Sequence, residues 1–180
     1  MIFETARLAL RELVPADLDF VAAMLADPQV MRFYPCTHTR AEALVWLERQ
    51  RARYQRDGHA LWLVEEKDTG VPVGQIGLVM QTIDGTPIPE IGYLVHRPYW
   101  RRGYATEAAL GTRAYAFGPL GYPRVISLIR PENAPSQGVA RKMGMTVVGR
   151  TIHAGFETDV WGIERTALEI ATDGNVERRT

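Results

Sequence analysis

Polar and apolar side chains alternate over Arg7, Leu8, Ala9, Leu10 and Arg11. That is the period of a half-buried strand. Pro15 then stands where a first helical residue is tolerated. Leu18, Val21, Ala22 and Leu25 recur at helical spacing until Pro28 stops them. Thr39 and Glu42 form a capping-box pair. It predicts a second helix carrying Leu44, Leu47 and Tyr54 and ending near Gly58. Three strands follow, over 61–66, 73–81 and 90–96, with turns at 67–70 and 84–89. Pro98 ends the third strand, and a short basic turn leads into a helix over 104–117. An apolar strand at 124–130 lies between Pro123 and Pro131. A helix over 135–143 follows, with Gly144 in its C-terminal cap, and then strands at 146–153 and 157–165.

This order is β-α-α-β-β-β-α-β-α-β-β. Its central strand–helix–strand unit implies two parallel strands joined by a right-handed crossover. The flanking hairpins make the sheet mixed. The expected class is α+β, a three-layer mixed central sheet with helices on both faces. We expect a single domain over 1–171 and a polar tail over 172–180.

Composition adds exclusions. The 180 residues carry 21 Lys plus Arg and 21 Asp plus Glu, so the formal charge is zero. That argues against attraction of the whole surface to nucleic acid or anionic membrane. Cys36 is the single cysteine, so no internal disulfide forms, which fits a reducing compartment. His38, His59, His96 and His153 lie far apart, so no metal site is expected. No apolar run reaches the length of a bilayer span, and the charged N-terminal residues do not suit a signal peptide. We expect a cytoplasmic protein.

The candidate chemistry lies in Arg101, Arg102, Gly103, Tyr104, Ala105 and Thr106, where strand, glycine turn and helix meet. The first amides of a helix lack internal partners and face the positive end of its dipole, so phosphate oxygens satisfy them. Gly103 lets a diphosphate approach the backbone. Two arginines at that end are unfavourable unless an anion arrives or Glu107 offsets them. Spacing alone also admits an ordinary solvated loop. Neither GxxxxGK[ST] nor GxGxxG occurs, because no two glycines stand two residues apart.

The segment PEIGYLVHRPYWRRGYATEAA (89–109) resembles the core motif of the GCN5-related N-acetyltransferases. It is closest to the branch that includes the ribosomal-protein-alanine N-acetyltransferases. Residues 4–11, Asn133 to Ser136 and Lys142 to Gly144 match the same branch in order. The family turn is Gln/Arg-x-x-Gly-x-Gly/Ala; Gly103 and Ala105 fit it, and Trp100 replaces its first residue.

The resemblance implies acetyl-coenzyme A as cosubstrate and a small-molecule or peptide amine as acceptor. It implies that the amides from Arg101 to Thr106 hold the diphosphate. Tyr93, Leu94 and Val95 would bond the pantetheine arm as an added strand does, and one of their amides would stabilise the oxyanion. Asn133 would contact the pantetheine or orient the site. Glu90 is the candidate base, or else a strand-end carboxylate in solvent. Ala140 stands where many relatives carry a donor tyrosine, which leaves Ser136 as the donor to the thiolate, or only as part of a helix cap. Tyr99 and Tyr104 are alternative donors, or else packing residues. Tyr34, Trp62 and His153 are candidates to line the acceptor pocket, or are core aromatics. Two other readings remain: a non-catalytic coenzyme A-binding regulatory module, and a phosphate- or RNA-binding factor using Arg97, Arg101 and Arg102. A homodimer is compatible with the fold expected.

Overall fold

The computed structural model describes residues 1–166, so the tail expected over 172–180 and the end of the 1–171 domain lie outside them. The elements are β1 (Phe3–Glu4), β2 (Leu8–Arg11), α1 (Leu18–Ala26), α2 (Arg40–Asp57), β3 (Leu61–Glu66), β4 (Pro72–Ile83) and β5 (Thr86–Val95). Then come α3 (Tyr104–Phe117), β6 (Arg124–Ile129), α4 (Ala134–Lys142), β7 (Thr146–His153) and β8 (Phe156–Glu164). The eight strands form one sheet in the order β1-β2-β3-β4-β5-β6-β8-β7. Only β5 and β6 run parallel. The expected α+β class with a mixed sheet is the observed one.

Side-chain parity assigns the helices to faces. Trp46 of α2 donates to Gln75 on β4 (2.9 Å). Tyr115 of α3 packs edge-on against Trp62 of β3 (5.6 Å between centroids). Trp62 pairs with Ile76, the neighbour of Gln75. Successive strand residues face opposite ways, so α2 and α3 cover opposite faces. Between them Trp62, Leu63 and Phe117 are each only 1% exposed. Burying a side chain of this kind contributes about 1.5–3 kcal/mol.

Two differences from the sequence reading have physical reasons. β1 has two residues, too few to show a period. The turn expected over 84–89 tightens to Asp84 and Gly85, both at positive φ, and β5 starts at Thr86. Pro87 and Pro89 sit inside a paired strand. His96 donates its amide to Val73 of β4, so even-numbered backbone groups of β5 face β4. The odd-numbered prolines turn their missing N–H the other way and remove no rung of that ladder.

The β5–β6 pair positions the site. Its sole register match is Glu90 opposite Ile126. Past it, side chains replace backbone rungs. Ser127 Oγ donates to the Ile91 carbonyl (2.8 Å), and the Leu128 amide donates to Glu90 Oε1 (3.3 Å). The strands part toward the start of α3.

Candidate active site

Arg101 (φ 61°) and Gly103 (φ 83°) both adopt the left-handed conformation in the turn before α3. The first amide with a protein acceptor is Glu107, bonded to the Gly103 carbonyl (3.0 Å). Among the described residues, no protein acceptor meets the six amides from Arg101 to Thr106. Unpartnered amides at a helix N-terminus are an anion site in waiting. Gly103 suits the position twice over. Its φ excludes most side chains, and a Cβ there would lie 3.3 Å from Arg7 Nη2.

The turn is clamped from behind. Glu107 Oε1 accepts from Thr5 Oγ1 (2.6 Å) and the Arg7 amide (2.8 Å), while Oε2 accepts from Arg7 Nε (2.7 Å). Arg7 Nη1 also donates to the Arg102 carbonyl (3.0 Å). Burial pushes Glu107 upward, but the bonds from Thr5 and Arg7 outweigh it and leave its pKa below the usual value. The Tyr104 hydroxyl bonds to Glu66, and Arg102 lies over the Tyr99 ring (5.4 Å). Tyr99 and Tyr104 thus brace the turn.

From the turn, the gap runs along β5. Odd-numbered backbone groups face it, as the Ser127 bond to Ile91 attests. The amides of Tyr93 and Val95 therefore border the gap. Trp100 Nε1 donates to the Val95 carbonyl (2.7 Å), tying the strand end to the turn. On the far side stands α4. Asn133 Oδ1 caps it by accepting from the Ser136 amide (3.2 Å), and the Tyr93 hydroxyl donates to the Ser136 carbonyl (2.7 Å). The Ser136 hydroxyl has no hydrogen-bond partner among the described residues, and Ala140 is fully buried.

Glu90 sits where the strands separate. Its carboxylate accepts from Gln81 Nε2 (2.6 Å) as well as from Leu128. Burial raises its pKa above the ordinary 4.5, against the opposing pull of these two bonds, His153 and Arg53. Tyr34 belongs to the same electrostatic neighbourhood. The whole residue is 37% exposed. Desolvation nevertheless pushes its phenol up to about 12, and the charge of Glu90 adds to that shift. A carboxyl with a raised pKa is suited to taking a proton near neutrality.

The structure thus sets Glu90 at one end of the gap, with Tyr34 and His153 within its electrostatic reach, and the 101–106 turn, Tyr93, Val95, Asn133 and Ser136 along it. It does not bring two expected residues there. Trp62 is 1% exposed beneath α3, edge-on to Phe3 and Tyr115, so it is core and not pocket lining. Leu94 pairs with Gln75, which turns its backbone groups toward β4 and away from the gap. Gln81, Ser127 and the Arg7–Glu107 clamp were not expected. Their partners lie 9 to 100 residues away, a distance no local pattern spans.

A family model described as an acetyltransferase (GNAT) domain matches residues 7–146. The Bacillus subtilis protein YkkB is 36% identical over 119 residues, covering 66% of this chain and 69% of its own. YoaA of the same organism, named an uncharacterized N-acetyltransferase, is 29% identical over 150 residues, covering 82% and 84%. A solved GNAT-family acetyltransferase from Bacillus anthracis superposes with a TM-score of 0.77 at 26% identity, over 90% of this chain and 97% of that one. The chain belongs to the GNAT family of acetyl-coenzyme A-dependent acetyltransferases.

Proposed function

We propose that this protein transfers the acetyl group of acetyl-coenzyme A directly to a primary amine, either a protein N-terminal α-amine or a small-molecule amine. The observation that carries this is the row of six acceptor-free amides at the head of α3, opening onto a gap between parted strands. The donor set fits the ligand. Neutral, inward-turned N–H groups suit a diphosphate, and the extended edge of Tyr93 and Val95 suits an amide-bearing arm. Bound there, acetyl-coenzyme A would supply an activated acyl thioester.

The protein's own groups do the rest. An α-amine titrates near 7.7–8.0 and a lysine near 10.4 in reference peptides, so an attacking amine must lose a proton. Glu90, held by Gln81 and Leu128, accepts it directly or through a water. The amide of Tyr93 or Val95 steadies the oxyanion. Ser136, whose hydroxyl is uncommitted, donates to the leaving sulfur. Tyr34 and His153 flank the incoming amine. The proposed working place is the cytoplasm, whose reducing conditions a single cysteine suits.

A second reading keeps the ligand and drops the reaction. Ala140 offers no proton where many relatives carry tyrosine, which suits a coenzyme A-binding regulatory module. Thermal melts separate the readings. Acetyl-coenzyme A should stabilise the fold by RT ln(1 + [L]/Kd), about 2.7 kcal/mol at a hundredfold excess over Kd. Absence of any shift at millimolar ligand rules out both. A shift without thiol release across an amine library leaves the regulator.

A further inference from the structure

Helix α2 carries Arg49, Arg53 and Arg56 at spacings of four and three, which puts three positive charges along one face. Like charges at this spacing weaken a helix unless something neutralises them. Two of the three are accounted for. Arg56 pairs with Asp57 (2.6 Å), and Arg49 lies over the Trp46 ring (4.8 Å). Arg53 is different. It is half-buried, and its one hydrogen bond among the described residues is to Gln50 Oε1 (3.3 Å). No carboxylate lies within ion-pair distance of it among those residues.

Its position is defined by the strands below. Gln50 Oε1 also accepts from the Leu61 amide (3.4 Å). Leu61 pairs with Gly77, and Gly77 with Gly92. Leu61 Cδ2 lies 3.2 Å from where a Cβ on Gly92 would stand. Gly92 is two residues along β5 from Glu90, so the two share the face that α2 covers. Arg53 therefore overlooks the end of the gap where Glu90 sits. The electrostatics agree: burial first, then Arg49 and Arg56, lower the pKa of Arg53, while Asp57 and then Glu90 oppose that shift.

We propose that Arg53 binds an anionic carboxylate carried by the acceptor amine, so that the preferred acceptors are amino-acid-like and polycationic amines are disfavoured. The inference rests on the acetyl-transfer reading above and adds the charge class of its acceptor. A half-buried guanidinium without a counter-ion offers a carboxylate a charge-assisted, two-pronged bond. Glu90 would hold the ammonium end while Arg53 holds the acid end. A polyamine would meet the unpaired positive charge of Arg53 instead.

The test compares free α-amino acids with their amides, and dipeptide amides bearing aspartate or asparagine at the second position, with spermidine as the cationic arm. Wild type, Arg53→Gln and Arg53→Lys are assayed for acetyl transfer and for melting temperature with coenzyme A and each acceptor. Wild type should favour the carboxylate member of at least one pair. Whether that is the amino acid or the aspartyl peptide identifies the source of the carboxylate. Arg53→Gln should raise KM for that acceptor about tenfold or more and leave its amide unchanged. Arg53→Lys should recover part of the loss. Equal KM rises for both members, no preference in rate or melting temperature, or spermidine as the best acceptor would overturn the proposal. Acetyl-coenzyme A stabilisation, intact in wild type and Arg53→Gln, separates this failure from failure of the acetyl-transfer reading, which would abolish that stabilisation altogether.

Discussion

The two ends of the gap are built on opposite plans. The turn at Arg101 to Thr106 is a single run of backbone, clamped by Thr5, Arg7 and Glu107 and by Tyr104 on Glu66. Its useful groups are amides, and no side-chain rotamer decides where they point. The Glu90 end collects side chains from β5, α2, the segment between α1 and α2, and β7, with few bonds among them. A braced backbone site suits a ligand that never varies. A site of loosely coupled side chains can change its preferred partner with one substitution. Binding of the common ligand and choice of acceptor should therefore fail separately.

The largest expected effect comes from the Glu90 end. Glu90→Gln should lower turnover at pH 7 by about a hundredfold or more, the usual worth of a general base. The deficit should shrink at high pH, where the amine loses its proton unaided. The affinity for acetyl-coenzyme A should hold. A mutant-to-wild-type ratio that stays flat across pH removes Glu90 as the base. The same residue makes a stability prediction. Its pKa is raised in the fold, so the folded state binds more protons and wild-type stability falls as pH climbs from 4.5 toward the folded value. Denaturant melts of Glu90→Gln should lack that decline.

Next in size is Gly103→Val. A branched side chain at φ 83° beside Arg7 strains the turn by about 1–3 kcal/mol. Calorimetry should show acetyl-coenzyme A affinity about 10- to 100-fold weaker, with the fold retained. Unchanged affinity in a folded variant would sink the turn assignment. Smaller again is Glu107→Gln. It should cost about 1–2 kcal/mol at neutral pH, partly screened because Arg7 is half exposed. The pKa of Glu107 is depressed in the fold, so its contribution is present above 4.5 and disappears as pH falls below it. Wild type and variant should therefore converge in acid, and a gap that does not shrink as pH falls below 4.5 would refute the clamp. Least of all, Trp100→Phe removes the bond to Val95 and should weaken acetyl-coenzyme A binding about three- to tenfold. A change in acceptor preference with affinity intact would contradict the separation of the two ends.

The same contrast governs what could be read from residues alone. The turn was legible because contiguous chemistry is written contiguously: glycine, arginines and the start of a helix, with α3 found over Tyr104–Phe117 as expected. Glu90 was legible through its motif, but the burial that raises its proton affinity was not, and Gln81, Leu128, His153 and Arg53, which oppose that rise, come from four other segments. The choice for Trp62 between pocket and core stayed open because alternation tells which residues share a face and not what covers that face; α3 covers it. Leu94 failed by the same parity, one residue out of phase with its neighbours. Pro87 and Pro89 suggested a loop because a proline's effect on a strand depends on which edge is paired, and that requires knowing β4 and β6.

The single match between Glu90 and Ile126 has a mechanical consequence. Load passes across a sheet through its ladder of bonds, and here that ladder is nearly interrupted between β5 and β6. The antiparallel run from β1 to β5 and the run from β6 to β8 are each zipped along their length. Pulled apart, the molecule should tear along this seam before either half unravels. An extended ligand lying in the seam would act as a rivet, raising the rupture force most where the protein itself supplies the fewest crosspieces.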